Sequence, residues 1–443
     1  MTFSTNQSIK PITTTINDEG NLEIGGCDLV ELAQKYETPL YLVDETTLRT
    51  ICKEYKKAFS GYEKVKMMYA SKAFMTKALV KIISSEGFGF DTVSGGEIYT
   101  ADKSGIDMSN VLFNGNNKSY DEIELAINTG VGRFSADNFF ELTLLNEIAK
   151  SHDKKVDILL RITPGIECHT HEYIQTGHLD SKFGFDLTQI NEAVELIQEQ
   201  YTSLNLRGFH THIGSQIFET QIFEDEIDIL TKEIHLIKEK FGITLDEINI
   251  GGGLGVKYNE GEFPPSVFEI GEMITNSLKK NIEKYNIPAP TLYIEPGRSI
   301  ISTAGVTLYT VGSSKQVPNG RRYVAVDGGM ADNPRPSLYQ AEYTAQIANK
   351  PDAVCSQKVT IAGKFCESGD ILINDINLPT LEEGDILCVF NTGAYNYSMA
   401  SNYNRFPKPA AVLVNNSQSD IIIKRETLDD LISHDVVPDR LDN

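Results

Sequence analysis

The sequence predicts an α/β fold, a (β/α)8 TIM-like barrel, joined to a mainly β domain. Three observations predict it. Between about residues 38 and 300, eight short β-rich runs alternate with helical patterns, which suits a closed barrel better than the doubly wound sheet that is the runner-up. After residue 300 helical periodicity gives way to short strands punctuated by Gly, Pro and Asn. A chain of 443 residues also exceeds what one ordinary core organises.

The eight runs, in order, are KMMYAS (66–71), GFGFDTV (87–93), VLFN (111–114), GRFSAD (132–137), VDILLRI (156–162), LRGFHTHI (206–213), EINIGG (247–252) and LYIEP (292–296). Helical candidates lie between them, such as MTKALVKIISSE (75–86), DNFFELTLLNEIAKSH (137–152) and FEDEIDILTKEIHLIKEKF (223–241). The last carries Ile227, Leu230, Ile234 and Ile237 at helical spacing with Glu and Lys between. Over 301–425 the strand candidates are VTLYTVG, RRYVAVD, KVTIAG, DILCVFN, AAVLVNN and IIIKR. The opening segment TTTINDEGNLEIGG (13–26) reads strand–turn–strand and is expected to pair with that C-terminal sheet. The expected domains are therefore a barrel over 38–300 and a β-rich domain from 1–37 with 301–443.

Composition narrows the function. Apolar content of 40% and charged content of 23% are those of a soluble globular protein. A net charge of −22 repels phosphate backbones and anionic lipid, so neither nucleic acid nor a membrane surface is an expected partner. The opening MTFSTNQSIK lacks a secretory pattern and no run has membrane-span length, so a cytoplasmic location is expected. Cys27, Cys52, Cys168, Cys355, Cys366 and Cys388 show no CxxC spacing and read as thiols.

In a (β/α)8 barrel the chemistry gathers where strands end. Here those positions hold Lys72, Asp91, Asn114, Asp137, Arg161, His210, His212, Gly251 to Gly253, Glu295 and Arg298. Taken singly, Lys72 reads as a solvated loop lysine, and Glu295 with Arg298 as a structural ion pair. In a barrel mouth the same lysine can shed its proton and attack an aldehyde. The GGGLG run (251–255) after the seventh strand offers backbone N–H groups to a phosphate. Glu295 suits a protonated ring nitrogen, and Arg298 a phosphate or carboxylate. His210 and His212 are expected to point to opposite faces, with one facing the mouth as a flat ring. A zinc pair there is therefore disfavoured; His169 and His171 lack an obvious third ligand, and no metal is expected.

YASKA, DTVSGGE, FNGNNKS, DSKFGF, HTHIGSQ, GGGLG, EPGRS, ADNPRPSLY, CESGD and GAYNYSMASNYN follow in this order over residues 69–404. Together they resemble the meso-diaminopimelate decarboxylases, among the alanine-racemase-like (fold type III) pyridoxal-phosphate enzymes. EPGR and GGG are shared with ornithine and arginine decarboxylases; CESGD with NPRPSLY is more specific. The resemblance implies pyridoxal 5'-phosphate as cofactor, an amino-acid substrate, and a homodimer with active sites shared across its interface. It implies decarboxylation of meso-diaminopimelate to lysine and carbon dioxide, the last step of lysine biosynthesis. The alternatives are a related basic amino-acid or carboxylated-polyamine decarboxylase and a non-catalytic cofactor-binding homologue.

By the same resemblance, Lys72 matches the lysine that holds the cofactor aldehyde and Glu295 the acid facing the pyridine nitrogen. His212 matches the stacked ring. Ser215, Gly251, Gly252, Gly253, Pro296, Gly297 and Arg298 match the phosphate set. Arg298, Arg335, Tyr339, Glu367 and Tyr395 match substrate contacts, with Tyr395 also near the cofactor. Cys366 matches a proton donor that reaches the site from the partner chain. Asn114 departs from the pattern, since relatives often carry His there.

Overall fold

The computed structural model describes residues 3–165 and 181–441. Cys168, His169, His171 and the Asp180 that opens DSKFGF lie outside the described residues. The chain forms two compact units: Met1–Ser8, Arg49–Lys257 and Glu262–Ile301 in one, Ile9–Leu48, Tyr258–Gly261 and Ser302–Asn443 in the other.

The first unit is the barrel. Its strands are β1 (Val65–Ala70), β2 (Gly89–Thr92), β3 (Val111–Phe113), β4 (Arg133–Ala136), β5 (Val156–Thr163), β6 (Leu204–His210), β7 (Glu247–Asn249) and β8 (Thr291–Ile294). Each pairs in parallel with the next, and β8 pairs with β1, which closes the ring. Each of the eight strands overlaps one of the runs read from the sequence; β1, β5, β6 and β8 extend one or two residues beyond their runs. Closure fills the interior with side chains: Met68, Leu112, Leu159 and Tyr293 pack as one buried cluster. Where strands begin, Arg133 meets Glu247 at 2.6 Å and Asp157 at 2.8 Å, so charge at that end is spent on structure.

The helices start where polar caps meet apolar periodicity. They are α1 (Lys77–Ser85), α2 (Gly95–Lys103), α3 (Tyr120–Thr129), α4 (Phe139–Ser151), α5 (Ile190–Glu199), α6 (Gln221–Phe241) and α7 (Val267–Tyr285). Thr76, Ser94, Ser119, Asn138 and Ser266 each accept a backbone N–H at a helix start. α6 buries Ile227, Leu230, Ile234 and Ile237, the stripe expected from its spacing.

The second unit is built on a large sheet in the order Ile371–Leu378, Gln357–Ala362, Arg322–Val326, Gly305–Gln316, Leu40–Asp44, Ala410–Asn415 and Gln418–Ile423. Ile386–Val389 also pairs with Gly305–Gln316, and Ala345–Ile347 with Ile386–Val389. Two differences from the sequence reading stand out. The opening segment does form strand–turn–strand, but Thr15–Ile16, Leu22–Ile24 and Cys27–Asp28 make their own three-stranded sheet instead of joining the large one. Ile371–Leu378 was not among the expected strands. Its Asn374–Asp375 pair disfavours extended structure, and Asp375 adopts a φ of 51°. Among the described residues no helix is long and apolar enough to cross a membrane.

Candidate active site

Strand ends of the first unit converge on one buried carboxylate. Glu295 follows β8 and is 6% exposed. The Asn249 amide donates to its Oε1 at 2.6 Å, and His210 Nε2 lies 3.3 Å from its Oε2. His210 is oriented from its other nitrogen by Ser135 Oγ at 2.7 Å. Burial alone would push Glu295 up, but His210 and the Asn249 amide outweigh it and hold the carboxyl well below its usual range. Asn114 donates to Asp91 Oδ1 and, at 3.4 Å, to Glu295 Oε1. Asp91 is pushed the other way, by burial and by the charge on Glu295. Two buried carboxyls thus share one site, and Glu295 is the one that keeps its charge.

Both histidines border that carboxylate. Residues two apart along extended chain share a face, so the expectation that His210 and His212 point to opposite faces fails. Burial lowers the pKa of both rings, and Lys72 and Arg161 add to the effect at His212, so His212 is a neutral flat ring. Lys72 sits in the turn Ser71–Ala73 directly after β1. Its exposed ammonium acts electrostatically on Asp91, Glu97 and His212.

The glycines after β7 are required by space. A Cβ on Gly252 would come 2.2 Å from the Glu295 carbonyl oxygen, and one on Gly251, at φ +64°, 2.6 Å from that of Thr211. The Glu295 N–H donates to the Gly251 carbonyl at 2.7 Å, and the Ala70 N–H to the Pro296 carbonyl at 3.2 Å. These contacts bind the loop after β7 to β8 and β8 to β1. A Cβ on Gly297 would lie 2.9 Å from that of Ala70. Arg298 is buried and donates to Ser215 Oγ from Nη2 at 2.9 Å and from Nε at 3.2 Å. The structure therefore gathers Lys72, His212, Ser215, Gly251, Gly252, Gly253, Glu295, Pro296, Gly297 and Arg298 at the ends of β1, β6, β7 and β8. Asp137 and Arg161, also at strand ends, pair with each other at 3.8 Å. Asn249 was missed from sequence; a polar residue closing β7, two positions before the glycines, was the available signal.

The second unit assembles its own cluster. Arg335 opens the short helix Arg335–Tyr339 and is 8% exposed. Its guanidinium carbon lies 5.3 Å from the Tyr339 ring centre and 5.7 Å from that of Tyr395. Burial disfavours its charge, but Tyr343 and Tyr258 more than restore it. The Tyr343 hydroxyl donates to Asn396 Oδ1 at 3.2 Å, and its ring meets Tyr258 edge-on at 5.4 Å. Nothing local in the sequence marked Tyr343, because it meets Arg335 and Asn396 only through the fold. Cys366 and Glu367 lie exposed in the turn between Gln357–Ala362 and Ile371–Leu378. Asn404 accepts the Cys366 N–H at 2.8 Å.

Comparison with known proteins identifies the family. Residues 46–302 match the model of the pyridoxal-dependent decarboxylase, pyridoxal binding domain. A diaminopimelate decarboxylase of Synechocystis is 48% identical, over 99% of this chain and 95% of that protein. One from Bacillus subtilis is 47% identical, over 96% and 97%. The crystal structure of diaminopimelate decarboxylase from M. jannaschii in co-complex with L-lysine superposes with a TM-score of 0.91 at 35% identity, covering 97% of this chain and 99% of that one. Fold and site thus define a pyridoxal-binding barrel of the pyridoxal-dependent decarboxylase class. The chain belongs to the diaminopimelate decarboxylase family.

The barrel mouth fits pyridoxal phosphate. A carboxylate held ionised in a buried site suits a protonated ring nitrogen, and a neutral imidazole suits a ring face. Glycine loops that admit no Cβ, beside a serine–arginine pair, suit a phosphate. Lys72, directly after β1, carries an amine of the kind an aldehyde takes.

Proposed function

We propose that this protein is a pyridoxal-phosphate-dependent carboxy-lyase that converts meso-diaminopimelate to lysine and carbon dioxide. The observation that carries the reading is Glu295, a buried carboxylate kept charged by His210 and Asn249 at the mouth of a pyridoxal-binding barrel. When bound, the cofactor accepts the electron pair released as carbon dioxide leaves. The protein's own residues do the rest. Lys72 would hold the cofactor by its aldehyde. Glu295 would keep a proton on the ring nitrogen, and His212 would offer its flat face to the ring. Ser215, Gly251 to Gly253, Pro296, Gly297 and Arg298 would hold the phosphate. Cys366 returns a proton to the carbon that lost its carboxylate.

Substrate choice is assigned to the far end of the molecule. Arg335, with Tyr339 and Tyr395 against its guanidinium, and Arg298 suit the distal carboxylate; Glu367 suits the distal ammonium. The family resemblance assigns Tyr395 to the cofactor as well. Family resemblance further supports a homodimer in which Cys366 of one chain serves Lys72 of the other. Carbon dioxide release from a panel of meso-diaminopimelate, ornithine, arginine and lysine tests the reading. Release from meso-diaminopimelate alone is expected, and preference for ornithine would sink the substrate assignment.

A further inference from the structure

Two loops of the second unit carry the residues assigned to substrate and proton. One spans 328–335 and ends at Arg335; the other spans 363–370 and holds Cys366 and Glu367. A single carboxylate joins them. Asp370 is 3% exposed. Its Oδ1 accepts the Met330 N–H at 2.7 Å, from the first loop, and its Oδ2 accepts the Phe365 N–H at 2.8 Å, from the second. The Lys364 N–H adds a rung to the Gly328 carbonyl at 2.9 Å, and the Gly363 N–H another to the Asp370 carbonyl at 3.0 Å. Glycines keep the space around the carboxylate clear. A Cβ on Gly363 would lie 2.1 Å from Oδ2, and one on Gly329, at φ +154°, 2.4 Å from Oδ1. Phe365 is buried and meets Phe406 edge-on at 5.2 Å, so the residue before Cys366 is pinned while Cys366 and Glu367 stand exposed.

We infer that Asp370 is a positioning residue for the reaction: one carboxylate locks the loop of Arg335 to the loop of Cys366, so the distal-carboxylate contact and the proton donor are set together. The inference rests on the roles proposed above for those two residues. A carboxylate is required because two N–H donors need two acceptors. Asparagine offers one oxygen and turns an NH2 toward the other donor. Losing a charge-assisted bond to a buried N–H leaves that donor unpaired, which displaces the loop.

The test is Asp370→Asn in the holoenzyme, alone and combined with Cys366→Ala and with Arg335→Ala. We expect kcat to fall at least tenfold and KM for meso-diaminopimelate to rise, with the visible absorbance of the bound cofactor unchanged. The kcat loss should vanish in the Cys366→Ala background, and the KM rise in the Arg335→Ala background. A merely structural role lowers the active fraction and scales every background alike; that multiplicative pattern, or wild-type kinetics, overturns the inference. If Asp370→Asn fails to fold, Gly363→Ala crowds the same carboxylate without removing its charge and should give the same coupling. Full activity in Cys366→Ala itself would instead refute the donor assignment, and the Arg335 arm then decides on Asp370.

Discussion

At the scale of single residues, charge state decides the chemistry. Lys72→Ala should abolish turnover and the visible absorbance of lysine-linked cofactor; a persisting band would remove Lys72 from its role. Glu295→Gln keeps the size and the contact from Asn249 but loses the charge that His210 faces. Removing a preorganised electrostatic group costs about 10²–10³ in kcat, and that loss is expected here with cofactor still bound. Asp91 sets a pH dependence. Its folded-state pKa is raised by burial and by Glu295, so the neutral form is favoured on folding. Stability from this group is therefore complete below the unfolded pKa, near about 4, and is lost as pH rises toward the folded value. Asp91→Asn escapes that loss. Thermal unfolding should show the variant gaining on wild type between acid and neutral pH, and a constant difference would contradict the raised pKa. Arg335→Ala should weaken meso-diaminopimelate by about 2–5 kcal/mol without altering cofactor absorbance. Tyr343→Phe, which keeps Arg335 and removes the hydroxyl beside it that also donates to Asn396, should cost less, about 1.5–3 kcal/mol, measured as KM.

At the scale of elements, the loops after β7 and β8 work because their backbones touch. Gly252→Ala drives a Cβ to 2.2 Å from the Glu295 carbonyl oxygen, which is backbone and cannot swing aside. Overpacking of this kind costs about 1–3 kcal/mol, and here it should also release cofactor, readable by dialysis and absorbance. Gly96→Ala, inside α2 with only Ser94 Oγ at 3.7 Å, is the contrasting case. It should stabilise by about 0.5–1 kcal/mol, because helix interiors favour alanine over glycine. Equal effects of the two substitutions on cofactor retention would refute a spatial requirement at Gly252.

At the scale of the whole molecule, the proposed dimer divides each site between chains. Lys72→Ala and Cys366→Ala should each be severely impaired. Refolded together in equal amounts, about half the dimers are mixed, and each has one site with both residues intact. Activity should then return to roughly a quarter of wild type. Recovery no better than the parents, with subunit exchange proven by a tagged-chain pull-down, would place both residues in one chain.

Much of this was legible in the sequence because strand, turn and helix are local. Eight apolar runs with polar ends predicted eight barrel strands, and the GGG and EPGR runs marked loops whose geometry tolerates nothing larger. Tertiary structure decided what depends on which strand meets which. Leu40–Asp44 is buried along its whole length, and such an apolar run does not state its partners; pairing with Gly305–Gln316 and Ala410–Asn415 does. The Asn249–Glu295 and Tyr343–Asn396 contacts span 46 and 53 residues. Which of two carboxyls stays charged was also beyond composition or motif. It follows from His210 and Asn249 reaching Glu295 and not Asp91, because hydrogen bonds and burial act over a few ångströms of space and not along the chain.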